Sequence, residues 1–133
     1  MTIEEMRAIL DELEDELPEA LFNGLNGGVL LNESEKLHPA NRADDLFIMG
    51  EYHNEHVLGC YIVIYYGSFI RLFGHEPAWS IKNQLRKTLR HELTHHIESR
   101  AGDRSLEEKD AADIDLYLRR GEKKRYRRRA QPE

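Results

Sequence analysis

A long segment without a helix-breaking residue constrains the fold of this chain most. From Pro77 to Ala101, Leu85, Leu89 and Leu93 repeat every four residues, which is a helical period. The proline suits the first turn of a helix, and Gly102 is a natural C-terminal cap. The pattern predicts one long helix that buries its leucine face in a core.

The segment before this helix predicts a second helix followed by a small sheet. An apolar residue recurs every three or four positions near the N-terminus, which predicts an amphipathic helix ending at or before Pro18 (Ile3, Met6, Leu10, Leu13 and Leu17). Short apolar runs then predict strands, the last of which is a possible fourth strand (Val29–Leu31, Leu46–Tyr52, Val57–Tyr66 and Phe69–Leu72). Strands so close in sequence should form a mostly antiparallel meander.

After the long helix, Asp103 or Ser105 can cap a final helix before the chain becomes basic. The predicted fold class is therefore α+β, with an N-terminal helix, a three- or four-stranded sheet, a long helix and a C-terminal helix. We expect residues 1–118 to form a single domain and residues 119–133 to be a disordered tail.

The charge is distributed unevenly along the chain. Residues 1–118 hold 11 basic and 23 acidic side chains, a formal charge of −12, whereas the last fifteen hold eight basic and two acidic, a formal +6. The acidic body argues against a broad nucleic-acid surface, so any such binding would use only the basic residues 119–129.

The distribution of apolar residues predicts no membrane partner. No run approaches the roughly 18 apolar residues that a bilayer-spanning helix needs, and Met1 to Leu10 does not resemble a secretory signal. The single cysteine, Cys60, lies inside an apolar run and is expected to be a core residue. We expect a cytoplasmic protein.

The long helix contains the pattern H-E-x-x-H at His91, Glu92 and His95. At 100° per residue the two histidines lie about 40° apart on the helix surface and one turn apart along it, so both can reach one ion. Zinc lowers the pKa of a coordinated water to roughly 7, and Glu92, offset by about 100°, is placed to take its proton. The spacing predicts a Zn²⁺ site with Glu92 as general base. The alternative is a polar surface helix whose histidines bond only to neighbours.

A catalytic zinc usually has three protein ligands, so a further ligand must come from a downstream acid. If the chain turns back at Gly102, Asp103 follows that turn, and Asp103 is the preferred candidate. Glu98 is an alternative on the same helix, although three ligands along one straight helix would spread roughly 10 Å. The remaining alternatives lie further along the chain (Glu107, Asp110 and, least favoured, Asp113).

The sequence from Leu89 to Asp103, together with Gly24–Val29 and Leu58–Phe69, resembles the bacterial minimal-zincin metallopeptidase family. The resemblance runs from about Leu10 to Leu118. It implies a compact α+β fold and a zinc peptidase that hydrolyses an extended peptide lying against a strand between Leu46 and Leu72. The family pattern is H-E-x-x-H-x-x-G-x-x-D, from which this chain departs at Glu98 and Ala101.

Two further expectations follow from this resemblance. Such enzymes often use a Tyr or His to support the oxyanion, and four side chains are available for that role (Tyr65, Tyr66, His75 and Tyr117). The alternative to a peptidase is a zincin fold without catalytic activity, acting as a metal-binding or protein-interaction module, with possible nucleic-acid binding by the basic tail.

Overall fold

The computed structural model describes residues 1–40, 46–103, 110–117 and 119. The fold is α+β, with helices packed against a small three-stranded mixed sheet, so the predicted class is confirmed. The helices are α1 (Ile3–Glu16), α2 (Tyr66–Phe73) and α3 (Ala78–Gly102), a short 3-10 turn spans Glu19–Phe22, and residues 110–117 are also helical. The strands are β1 (Gly28–Asn32), β2 (Gly50–Glu55) and β3 (Gly59–Tyr65).

The predicted amphipathic helix near the N-terminus is present as α1. Thr2 and Glu5 form a capping box, in which each side chain accepts a hydrogen bond from the other residue's backbone N–H. The helix ends at Glu16, before Pro18. Its buried face joins the core residues of α3 and β3 (Met6, Leu10, Leu13, Ile81, Leu85, Leu89, Ile62 and Ile64).

The sheet has strand order β1-β3-β2, with β1 parallel and β2 antiparallel to the central β3. The predicted antiparallel meander is therefore wrong, because β1 does not pair with β2. β1 ends at Asn32 and β2 begins at Gly50, so enough residues separate the two strands for them to lie on opposite sides of β3. In consequence β2 is an edge strand, and α3 packs beside it.

The predicted fourth strand at Phe69–Leu72 is also wrong, because these residues lie in α2. Tyr66, Phe69, Ile70 and Phe73 recur at helical spacing, and all four join the core or pack against it. A Cβ on Gly67 would lie 2.4 Å from the backbone nitrogen of Glu35, so the start of α2 can approach the loop after β1 only with a glycine there.

The long helix α3 runs from Ala78 to Gly102, with Pro77 as its N-cap. Gly102 has no positive φ, and Asp103 at the C-cap remains right-handed at φ −81°. The helix ends at Gly102 as predicted, and residues 110–117 lie back alongside α3, since Asp110 contacts Arg100 and Tyr117 lies under Arg90. Within the parts of the chain that the structure describes, no helix is long and apolar enough to cross a membrane.

Candidate functional site

Helix α3 separates its buried leucines from the histidines of the H-E-x-x-H pattern. Leu89 and Leu93 are buried in the core, whereas His91 and His95 are exposed on the opposite side of the helix. This is the arrangement that the 100° rotation per residue predicts. The same helix therefore anchors the core and presents two imidazoles to a cleft.

The two imidazoles converge on one point. His91 Nε2 and His95 Nε2 lie 3.2 Å apart, with the ring planes nearly perpendicular. Two nitrogens that each lie about 2.05 Å from a tetrahedral zinc ion are separated by about 3.3 Å. The pair therefore fits two ligands of one zinc ion without rearrangement of the side chains.

Glu92 lies beside this pair and is buried, with 7% of its surface exposed. One ligand atom from each of His91, Glu92 and His95 falls within 4.8 Å of the other two. The backbone N–H of Tyr52 donates a hydrogen bond to the Glu92 carboxylate, which fixes its direction. Burial, and secondarily the nearby Glu51 carboxylate, raises the pKa of Glu92 to about 7.

The cleft lies between α3 and the edge strand β2. Gly50 and Tyr52 line one side, and His91, Glu92 and His95 line the other. The approach is close, since a Cβ on Gly50 would lie 2.9 Å from a methyl carbon of Thr88. The expectation that a strand between Leu46 and Leu72 lines the site is confirmed for β2.

His96 has a different role from its neighbour His95. It is fully buried, and its Nε2 donates to the backbone carbonyl of Asn23 at 2.8 Å. Its Nδ1 therefore accepts from the Tyr52 hydroxyl, also at 2.8 Å. Burial lowers the pKa of His96, so the ring is neutral, and with both nitrogens engaged it is a structural group. Tyr52 thus contacts Glu92 through its backbone and His96 through its side chain, which the sequence pattern did not indicate.

Among the described residues, no candidate third ligand is assembled with the two histidines. Asp103 is exposed at the end of α3 and lies outside the group formed by His91, Glu92 and His95. Glu98 lines the cleft, and its Oε2 is 3.8 Å from His95 Nδ1, on the side of the ring away from His91. A carboxylate beside Nδ1 can orient a histidine that binds zinc through its other nitrogen, without itself contacting the ion.

Two other candidates for the third ligand, Asp110 and Asp113, lie away from the histidine pair. Asp110 accepts hydrogen bonds from Asn23 and Arg100, so its carboxylate ties the helix at 110–117 to the end of α3. Asp113 is exposed and outside the cluster, and Glu107 lies outside the described residues.

The four side chains considered for oxyanion support do not line the cleft. The hydroxyl of Tyr65 donates to Glu51 and that of Tyr66 to the carbonyl of Met1. Tyr117 lies under the guanidinium of Arg90, with 5.0 Å between the guanidinium carbon and the ring centroid. His75 sits in the turn between α2 and α3.

The buried Glu92 predicts a pH dependence of stability in the metal-free protein. Because its pKa rises from 4.5 unfolded to about 7 folded, its neutral form is favoured in the fold. The contribution of Glu92 to the free energy of unfolding is then fully present below pH 4.5. This contribution is lost as the pH rises through 7, by up to about 3 kcal/mol. When unfolding by urea is measured in the presence of a chelator, the free energy of unfolding of Glu92→Gln should increase relative to that of the parent protein between pH 5 and pH 8.5. Parallel pH curves for the two proteins would contradict this result.

Comparisons with known proteins relate the chain to a solved structure. No family model and no curated protein matches it. A solved structure described as a conserved hypothetical protein from Thermo thermophilus is 32% identical, with a TM-score of 0.65. The match covers 77% of this chain and 99% of that one. At this identity and coverage, the chain belongs to the same family as that conserved hypothetical protein.

Proposed function

We propose that this protein is a zinc-dependent metallopeptidase. The observation that supports it best is the pair of imidazole nitrogens 3.2 Å apart, with the buried Glu92 carboxylate beside them in a cleft. Two convergent nitrogens and an adjacent carboxylate are what a metal-assisted hydrolase requires. The resemblance of the sequence to minimal zincins supports the same reaction class.

In this proposal His91 and His95 hold the zinc through Nε2, and an acid completes the ligand set. Asp103 remains the proposed third ligand, which requires the chain beyond α3 to bring it inward, and Glu98 is the alternative already in the cleft. A bound zinc ion would act as a Lewis acid towards the scissile carbonyl and a water molecule.

Glu92 performs the proton transfers of the proposed reaction. Its carboxylate takes a proton from the attacking water and returns it to the nitrogen of the leaving amine as the peptide bond breaks. The Tyr52 N–H holds this carboxylate towards the cleft. Tyr52 is in turn held by the His96 hydrogen bond, so the fold supports the orientation of the base.

The proposed substrate is a peptide in extended conformation. Because β2 is an edge strand beside the cleft, a substrate backbone can lie along it by β-augmentation. The compartment that we propose is the cytoplasm, on the sequence argument alone.

A second candidate is a zincin-like metal-binding or interaction module without catalysis. It is favoured by one observation, namely that Asp103 lies outside the cluster of His91, Glu92 and His95. A site with two histidines and no assembled third ligand could bind zinc weakly and leave peptides intact.

An unbiased peptide library separates the two candidates. Zinc-loaded protein should cleave a subset of the library, and both chelator and the variant His91→Ala should abolish the cleavage. The variant His56→Ala is the matched control, because His56 is exposed in the turn between β2 and β3. Stoichiometric zinc without cleavage would establish the module, and cleavage that survives both treatments would refute the metal mechanism.

A further inference from the structure

The cleft continues past the zinc-binding histidines towards the N-terminal half of α3. This part of the groove is lined by Lys87 and Arg90 from α3 and by His38 and Phe47 from the chain before β2, and it shares His91 and Glu92 with the first part. The groove therefore has a basic end at Lys87 and Arg90 and an opposite end at Glu98 and Ser99.

The cations at the basic end lack carboxylate partners among the described residues. By contrast, Lys82 and Arg86, on the same helix, pair with Glu12 and Glu16 of α1. Within the described ranges, Lys87 is exposed without an ion pair, and the guanidinium of Arg90 lies over the ring of Tyr117 rather than beside an acid. A body of formal charge −12 offers many acids, so two cations that face one groove and pair with none of the acids the structure describes indicate an anionic ligand.

A third cation lies at the edge of the same region. The guanidinium of Arg71 lies over the ring of Phe47, with 5.8 Å from its central carbon to the ring centroid, and Phe47 lines the basic end. No carboxylate within the part of the chain that the structure covers pairs with Arg71. This cation adds to the positive potential at the same end of the groove.

The relative direction of β2 and α3 decides which end of a peptide would meet these cations. Gly50, at the start of β2, lies against Thr88, and Asn54 near its end donates to the Ser99 hydroxyl at 2.8 Å. The strand and the helix therefore run in the same direction along the groove. A peptide paired antiparallel to β2 would run from the Ser99 end to the Lys87 end.

We propose that the groove selects peptides bearing a carboxylate on the C-terminal side of the scissile bond, where Lys87 and Arg90 bind it. The proposal rests on the proposed function for the position of that bond, whereas the carboxylate preference itself requires only binding. The carboxylate can belong to an acidic side chain or to a free C-terminus, because Arg and Lys bind both alike.

Binding to the zinc-loaded Glu92→Gln protein tests the preference without cleavage. Fluorescence anisotropy would compare four peptides of one sequence, with Glu or Gln near the C-terminus, each with a free or an amidated end. We expect at least one carboxylate peptide to bind about two- to fivefold more tightly than the amidated Gln peptide at low salt. We also expect the difference to shrink in 0.5 M NaCl. The tighter member of the set identifies the source of the carboxylate, and equal binding by all four refutes the proposal.

Variants assign the preference to the two cations. Lys87→Gln removes an exposed charge without loss of packing, and Arg90→Lys keeps the charge beside Tyr117 while Arg90→Gln removes it. We expect both Gln variants to reduce the preference and Arg90→Lys to retain part of it. Arg119→Gln is the matched control, since Arg119 is exposed and pairs only with Asp115 in the described residues. A preference unchanged in Lys87→Gln and Arg90→Gln would place the carboxylate site elsewhere.

Cleavage positions in the peptide library test the direction separately. Acids enriched on the C-terminal side of the cleaved bond agree with the proposal, and acids enriched on the N-terminal side refute the antiparallel placement. Cleavage without any carboxylate preference would refute this inference but would agree with the proposed peptidase function. A carboxylate preference without cleavage would refute the peptidase and retain the anion site.

Discussion

Glu92→Gln should lower kcat/KM for any cleaved peptide by about 10²- to 10⁴-fold and leave zinc bound at the level of the parent protein. The amide keeps the shape of the side chain and an oxygen that can accept the Tyr52 N–H. It cannot take a proton from water at neutral pH. The variant therefore removes the chemistry and preserves the local hydrogen bond.

The measurement is a pair of assays on one preparation, namely peptide cleavage kinetics and zinc content after dialysis. Glu33→Gln is the matched control, because the same chemical change then falls on an exposed residue in the loop after β1. We expect its activity and zinc content to equal those of the parent protein. Activity of Glu92→Gln within twofold of the parent would remove Glu92 from the mechanism.

The second large effect concerns zinc affinity. Alanine at His91 or at His95 should weaken zinc binding by more than about a hundredfold, because even partners outside the first layer of ligands can cost 10–100-fold. The two variants should behave alike, since the two nitrogens converge on one point. Competition with a chromophoric chelator measures the change, and His56→Ala should bind zinc as the parent protein does.

The same assay identifies the third ligand. If Asp103 coordinates the ion, Asp103→Asn weakens zinc binding by a factor comparable to that of the histidine variants, and Glu98→Gln has a smaller effect. If Glu98 coordinates instead, the order is reversed. If both substitutions have equal and small effects, the third ligand is another acid. If the zinc affinity of His91→Ala is unchanged, the ion does not bind to this helix.

The sequence was sufficient to predict α3 and the position of its motif. Helical geometry alone relates His91 to His95 and both to Leu89 and Leu93, and it places the imidazoles opposite the core. These relations are local, so they do not depend on how the rest of the chain folds. The first helix is predictable for the same reason, since its capping box and Pro18 mark both ends.

The relations between distant elements were not predictable. The run Phe69–Leu72 is largely apolar, which fits a buried strand as well as a buried helix, and its helical state becomes evident only with Tyr66 and Phe73. The parallel pairing of β1 with β3 joins residues more than 30 positions apart, and no local pattern specifies it. The hydrogen bond from Tyr52 to Glu92 depends on that sheet order, because it needs β2 at the edge beside α3.

The packing of α1 against α3 has a consequence for the order of events during synthesis. Met6, Leu10 and Leu13 belong to the same buried cluster as Ile81, Leu85 and Leu89, and Lys82 and Arg86 reach back to acids of α1. A ribosome-bound nascent chain that ends before α3 therefore leaves the apolar face of α1 open to solvent and to chaperones. The buried cluster is complete only when α3, the helix bearing His91 and His95, has emerged from the ribosome, so the first helix waits for the metal-site helix before its apolar face is covered.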